Sequence, residues 1–246
     1  MVKLGALVLG LLSLTAEVCA QKTVRIMPFG ASIVSRCWRA NLQTSLRAAG
    51  ITNFEFVGSQ TAPTCSGTNI DPDHEGHPGS QATTWAANAD LVAKLKQNPP
   101  DVVIMLIGTN DVLIGQKPIV QILAAYDVLI GQMRASNSKM QIILSNLLPL
   151  DPARFKATPV QGIKDLNAEI AKYVATQNTA ASPVRFVDNY SGFDAVKDTD
   201  DGEHPNLTTG VQKMAAKFFG PTRDAIRAVS AAKRVRTVSV RWRNRE

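Results

Sequence analysis

Three short stretches of this 246-residue chain hold the residue types that acyl transfer requires. In "FGASI", Ser32 stands two positions after Gly30, so a tight turn out of an apolar run can lift its hydroxyl clear as a nucleophile. In "DGEHPN", Asp201 precedes His204 by three residues in a Gly- and Pro-containing stretch. One turn can therefore carry both a general base and the carboxylate that fixes its tautomer. In "GTND", Asn110 can aim its amide at a developing oxyanion, with backbone N–H groups of Ser32 and Gly79 beside it. Each residue also has a plainer reading: a serine that caps a helix, an asparagine that forms a turn, a D-x-x-H pair of metal ligands. No third ligand lies at helical spacing near Asp201 and His204, which favours acid-base work over a metal.

Such residues need a scaffold that brings positions 32, 110 and 204 to one edge. Short apolar runs alternate with longer amphipathic ones, the pattern of a parallel sheet covered by helices on both faces. Strands are expected at Val24 to Phe29, Phe54 to Gly58, Val102 to Ile107, Gln141 to Asn146 and Val184 to Val187. Helical patterns fall at about 37–49, 82–97, 118–135, 160–177 and 207–219. The run "DVVIMLIG" is apolar almost throughout, as suits a central strand buried on both sides. The expected fold is a single-domain, three-layer α/β/α structure with a flavodoxin-like, five-stranded, doubly wound parallel sheet. Ligands of such sheets bind beyond the carboxyl ends of the strands, where strand order reverses. All three polar stretches follow expected strands.

The rest of the chain bounds the setting. Lys3, the apolar run Leu4 to Leu14 and the small-residue site at Val18-Cys19-Ala20 read as a signal peptide over residues 1–20. That run is too short to span a bilayer, which takes about 20 apolar residues. The expected mature protein is secreted, starts near Gln21 and has its enzymatic domain at 21–222. Cys37 and Cys65 then remain as an even pair in an oxidising compartment, which suggests a disulfide; two buried thiols are the alternative. The formal charge of +7 sits mostly in the last stretch, where Lys233, Arg234, Arg236, Arg241, Arg243 and Arg245 face only Glu246. Residues 223–246 read as a basic, disordered tail, with a polyanion patch or a mistaken exon as alternatives. Asp71, Asp73, His74, Glu75 and His77 crowd into seven residues and could suggest a metal site, but a structural loop lining the site is the preferred reading. Asn189-Tyr-Ser and Asn206-Leu-Thr fit the N-glycosylation pattern.

"FGASI", "GHPG", "GTND" and "DGEHPN" resemble, in order and approximate spacing, the four blocks of the SGNH or GDSL-type hydrolases. The resemblance implies catalytic Ser32, His204 and Asp201, and an oxyanion hole from Ser32, Gly79 and Asn110. "IMPFGASIVSRCWRANL", "FEFVGS" and "DPDHEGHPG" are further similar to carbohydrate esterase family 3. That likeness runs from about Val24 to Phe219 and implies an acetylxylan esterase needing no metal or cofactor, acting as a monomer on acetylated polysaccharide or oligosaccharide, with no nucleic-acid or membrane partner. His77 and Arg39 are expected to touch the substrate. A silent carbohydrate-binding protein and a short-chain lipid or aryl esterase are the rival readings. One departure stands out: the family usually has aspartate where this chain has Ala31. The expectation is a weakened site rather than an abolished one, because none of the four essential roles belongs to residue 31.

Overall fold

The computed structural model describes residues 23–243, with side chains as far as Ala231. The expected signal peptide lies outside the described residues, as do positions 244–246. The elements in chain order are β1 (Val24–Gly30), α1 (Ser32–Ser35), α2 (Trp38–Ala48), β2 (Phe54–Phe56), β3 (Glu75–Gly76), α3 (Ala82–Asn88) and α4 (Asp90–Gln97). They continue with β4 (Val102–Leu106), α5 (Thr109–Leu113), α6 (Ile119–Ser136), β5 (Gln141–Ser145), α7 (Ala157–Gln177), β6 (Val184–Val187) and α8 (Gly210–Arg243).

All strand pairs are parallel, in the order β2-β1-β4-β5-β6, so the order reverses at β1. β4 and β5 are buried at every position, which is why they read as unbroken apolar runs. Helix α2 packs on α8, with Trp38 and Phe218 rings 4.7 Å apart, while α3 and α4 pack on α6, and α6 on α7. Right-handed crossovers place these two groups on opposite faces, which completes three layers. No helix among the described residues is long and apolar enough to cross a membrane.

Three expectations need correction. The sheet has a sixth strand: β2 pairs β1 only over Val24 to Ile26, and β3 takes up the same edge at Phe29 and Gly30. The helix expected over 82–97 is two, broken at Ala89 in the left-handed region (φ +55°). The boundary at 222 falls inside α8, and the part of the expected tail with described side chains belongs to the domain. Ala225, Ile226 and Val229 are buried there at helical spacing, and Ser230 accepts a hydrogen bond from Asn53 Nδ2 (2.9 Å).

Candidate active site

Ser32 leaves β1 at the switch point and opens the one-turn helix α1. Gly30 is required by packing: a Cβ there would stand 1.9 Å from the Leu106 carbonyl oxygen of β4. The turn of α1 is braced from within, since Ser35 Oγ donates to Ser32 O (2.7 Å) and the Trp38 indole donates to Ile33 O (3.0 Å).

Residues 32, 201 and 204 meet, although 172 positions separate Ser32 from His204. His204 Nδ1–H donates to Asp201 Oδ2 (2.8 Å), which leaves Nε2 to accept from the Ser32 hydroxyl (2.8 Å). Burial alone would raise the Asp201 carboxyl. The His204 backbone N–H, the imidazole and the Glu203 N–H outweigh it and hold the group down to about 2. The loop that carries the pair is closed by an antiparallel bridge between Thr199 and Pro205 and by Asp200 N donating to His204 O (2.9 Å). Glu203, between the two, is pushed up chiefly by burial.

Gly79 arrives by way of β3. Pairing of Gly76 with Gly30, followed by His77 N donating to Gly30 O (2.9 Å), sets the loop beside Ser32. Gly79 has φ +80°, and a side chain there would meet nothing within 4 Å, so glycine permits the turn and leaves the approach open. Asn110 is buried in α5 and donates through Nδ2 to Ser80 O (3.1 Å), which ties the two expected oxyanion elements together. The arrangement can pass a proton from Ser32 to His204 and offer N–H donors beside the hydroxyl.

Asp111 was not singled out in the sequence, and Glu75 appeared there only as one member of the crowded 71–77 stretch. Asp111 is wholly buried and accepts from Ala82 N (2.7 Å), Thr83 N (3.0 Å) and Thr83 Oγ1 (2.8 Å). It caps α3 from α5, because Gln81 at the N-cap makes no capping bond of its own. The sequence signal was a helix start, "SQATT", with glutamine where a short polar cap belongs. Glu75 is also fully buried and accepts from Ser59 N (2.8 Å), Ser59 Oγ (2.7 Å) and His77 Nε2, with Lys94 Nζ 3.5 Å away. Burial opposes its charge, but the bonds from His77 and Ser59 hold its carboxyl below the ordinary value. Its two-residue spacing from His77 in an extended segment puts both on one face, a signal legible in "EGH".

Arg39 is not available to a substrate. It is 1 % exposed and donates through its two terminal nitrogens to Pro72 O (2.7 Å) and Ser35 O (3.1 Å), clamping the 71–73 loop to α1. Its guanidinium falls to about 10, mainly through burial, with Asp71 and Asp73 opposing. The acidic cluster is occupied in the same way: Asp71 accepts from Phe56 N (2.9 Å) and Asp73 N (3.1 Å), and its own N–H donates to Gln43 (2.9 Å). His74 is buried, its imidazole lowered to about 4 mainly by that burial, and it bonds Ala62 O (2.7 Å) and Gly76 N (3.0 Å). Cys37 and Cys65 form a disulfide with Cα atoms 5.5 Å apart, which anchors the same loop. The sequon asparagines have internal duties. Asn189 is 2 % exposed and donates to Ser145 Oγ (2.7 Å), while Asn206 Oδ1 accepts from the N–H groups of Thr209 (2.9 Å) and Gly210 (3.0 Å) at the start of α8.

Known proteins share this architecture. Residues 26–209 match the GDSL-like Lipase/Acylhydrolase family. An acetyl esterase mutant crystallised with an acetate ion is 34 % identical, with a TM-score of 0.77 over 84 % of this chain and 100 % of that one. A carbohydrate esterase family 3 structure from Talaromyces cellulolyticus is also 34 % identical, with a TM-score of 0.76 over 84 % and 99 %. The family 3 carbohydrate esterase of Clostridium thermocellum is 30 % identical, with a TM-score of 0.69 over 85 % and 100 %. A multidomain esterase of Ruminococcus flavefaciens is 28 % identical over 221 residues, and this chain spans 28 % of its length. The chain therefore belongs to the GDSL-like lipase and acylhydrolase family, as an esterase similar to the family 3 carbohydrate esterases.

Proposed function

We propose that this chain is a secreted serine esterase that removes O-acetyl groups from xylan or a related plant polysaccharide. The observation that supports it is the unbroken relay from Ser32 through His204 to Asp201, each link 2.8 Å long. Ser32 Oγ attacks the acetyl carbonyl carbon as its proton passes to His204 Nε2. The charge that forms on the carbonyl oxygen is met by the N–H groups of Ser32 and Gly79 and by the Asn110 amide. His204 then delivers its proton to the sugar oxygen as the ester C–O bond breaks, leaving an acetyl-serine. Water, deprotonated by His204, repeats the sequence and releases acetate and a regenerated Ser32 hydroxyl. No step of this cycle calls for a metal or cofactor. The polysaccharide is chosen because relatives of this identity are carbohydrate and acetyl esterases, and because the disulfide suits an oxidising compartment.

The test is labelling with a serine-directed fluorophosphonate, followed by acetate release from acetylated xylan. The expected result is one label on Ser32, lost in Ser32→Ala, and acetate release that follows the label. Absence of labelling on the folded protein refutes the esterase mechanism. Labelling with preference for butyrate or longer esters over sugar acetates refutes the xylan assignment.

A further inference from the structure

Beside the Gly79 turn lies a cavity of about 210 Å³, walled by His77 and Ser80 on one side and by Gln81, Thr84, Trp85 and Asp90 on the other. Trp85 is held rigidly. Phe29 of β1 meets it edge-on at 5.1 Å between ring centroids, and the His77 ring leans on it at 5.2 Å. The polar groups around it are conspicuous for what they do not bond. The Gln81 amide, the Thr84 hydroxyl, the Trp85 indole N–H and His77 Nδ1 make no side-chain hydrogen bond to another described residue, and Thr84 is exposed to solvent. The buried Glu75 accepts from His77 Nε2, which leaves Nδ1 as the ring nitrogen without a protein partner.

An acyl chain in such a place would strip water from four polar groups and return nothing to them. A sugar ring would supply hydroxyls to the same groups and rest on the small part of Trp85 left uncovered (6 % exposed), and the volume suits one ring. Because Gly79 borders the cavity and stands among the expected oxyanion donors, a ring seated there lies beside the reacting ester. We infer that this cavity is a subsite for the pyranose ring that carries the acetyl ester, with buried Trp85 as its floor and His77, Gln81, Thr84 and Asp90 as hydroxyl partners. This assignment rests on the esterase reading above and extends it from the bond broken to the alcohol recognised.

The experiment compares kcat/KM for mono-acetylated xylobiose with kcat/KM for vinyl acetate, an ester whose alcohol part has no ring. Thr84→Trp fills the cavity from an exposed helical position, and Gln81→Ala removes a side chain that makes no bond of its own. The expected ratio of sugar to vinyl ester falls at least tenfold in Thr84→Trp and about threefold in Gln81→Ala, chiefly through KM. A ratio unchanged in both variants overturns the subsite. Calorimetric titration of Ser32→Ala with mono-acetylated xylobiose separates this from the mechanism. Binding that Thr84→Trp weakens at least tenfold supports the subsite even if the parent hydrolyses neither ester, in which case the esterase reading fails alone. No binding to Ser32→Ala, or binding that Thr84→Trp leaves intact, overturns the subsite.

Discussion

Ala31 is the N-cap of α1, the helix that begins with Ser32, and it makes no side-chain capping bond. The Ile33 N–H, at the second position of the helix, has no partner among the described residues, while Val34 N donates to Ala31 O (3.0 Å); the Ser32 N–H is left to the expected oxyanion hole. In Ala31→Asp a short carboxylate enters at the position where such groups accept from the first turn of a helix. Replacing alanine by aspartate at an N-cap is worth about 0.5 to 2 kcal/mol. In a domain of this size 1 kcal/mol moves the thermal midpoint by about 2 to 4 °C. If the same energy holds Ser32 in its reacting position, kcat/KM rises roughly two- to thirty-fold, at 1.36 kcal/mol per tenfold. The site is only 6 % exposed, so a carboxylate that failed to find those N–H groups would destabilise the fold instead. Thermal unfolding followed by circular dichroism, alongside acetate release from acetylated xylan, measures both quantities. Ala31→Asn separates the contributions, because it caps without charge and shares the gain in midpoint. A revertant with an unchanged or lower midpoint and no gain in kcat/KM refutes the capping argument.

Other outcomes follow from the same geometry. Arg39→Met removes the bond to Pro72 in the 71–73 loop and the bond to Ser35; urea unfolding is expected to register a loss of roughly 2 kcal/mol, and preserved stability would contradict the clamp. Reduction of Cys37–Cys65 reopens a link of 28 residues, worth about 3.5 kcal/mol on the chain-entropy model, read as a drop in thermal midpoint with added dithiothreitol. Asp188 accepts from Asn146 Nδ2 (2.7 Å) and the Ser191 N–H (3.0 Å); despite burial these bonds hold its carboxyl down to about 2 from an ordinary 3.8. Because the folded value is the depressed one, the stability it adds is complete above about pH 4 and is lost as pH falls towards 2. Allowing for solvent screening it amounts to about 1 kcal/mol, which Asp188→Asn should remove from the acid-unfolding curve.

Much of this molecule was legible before its structure. β1, β4, β5 and β6 were found within one residue; β4 and β5 are buried on both faces and β1 nearly so, which leaves such strands no choice but to be apolar, while β6 keeps only its two end valines buried. Ser32, Asp201 and His204, which the structure brings within hydrogen-bond distance, could be picked out because the turn chemistry around them is compressed into a few residues. β3 was missed because two residues, Glu75 and Gly76, carry no hydrophobic period and are placed by pairing with β1. Arg39 was misassigned because the sequence gives a cation no address; only the fold shows carbonyls of Pro72 and Ser35 waiting for it inside. The continuation of α8 was hidden by Pro221 and by the basic residues that follow, although Ala225, Ile226 and Val229 keep the helical spacing. The partner of the α3 start was beyond reach, since Asp111 caps it from α5, 28 and 29 residues along the chain.

The loop that bears Asp201 and His204 is stitched to itself by the Thr199–Pro205 bridge and the Asp200–His204 backbone bond. The carboxylate and the imidazole are therefore held in one braced loop, and the hydrogen bond from Ser32 to His204 joins that loop to α1. Grafting residues 198–206 as a block would transplant a base already set in its tautomer. A recipient scaffold would need to supply a serine at the right height above its own sheet.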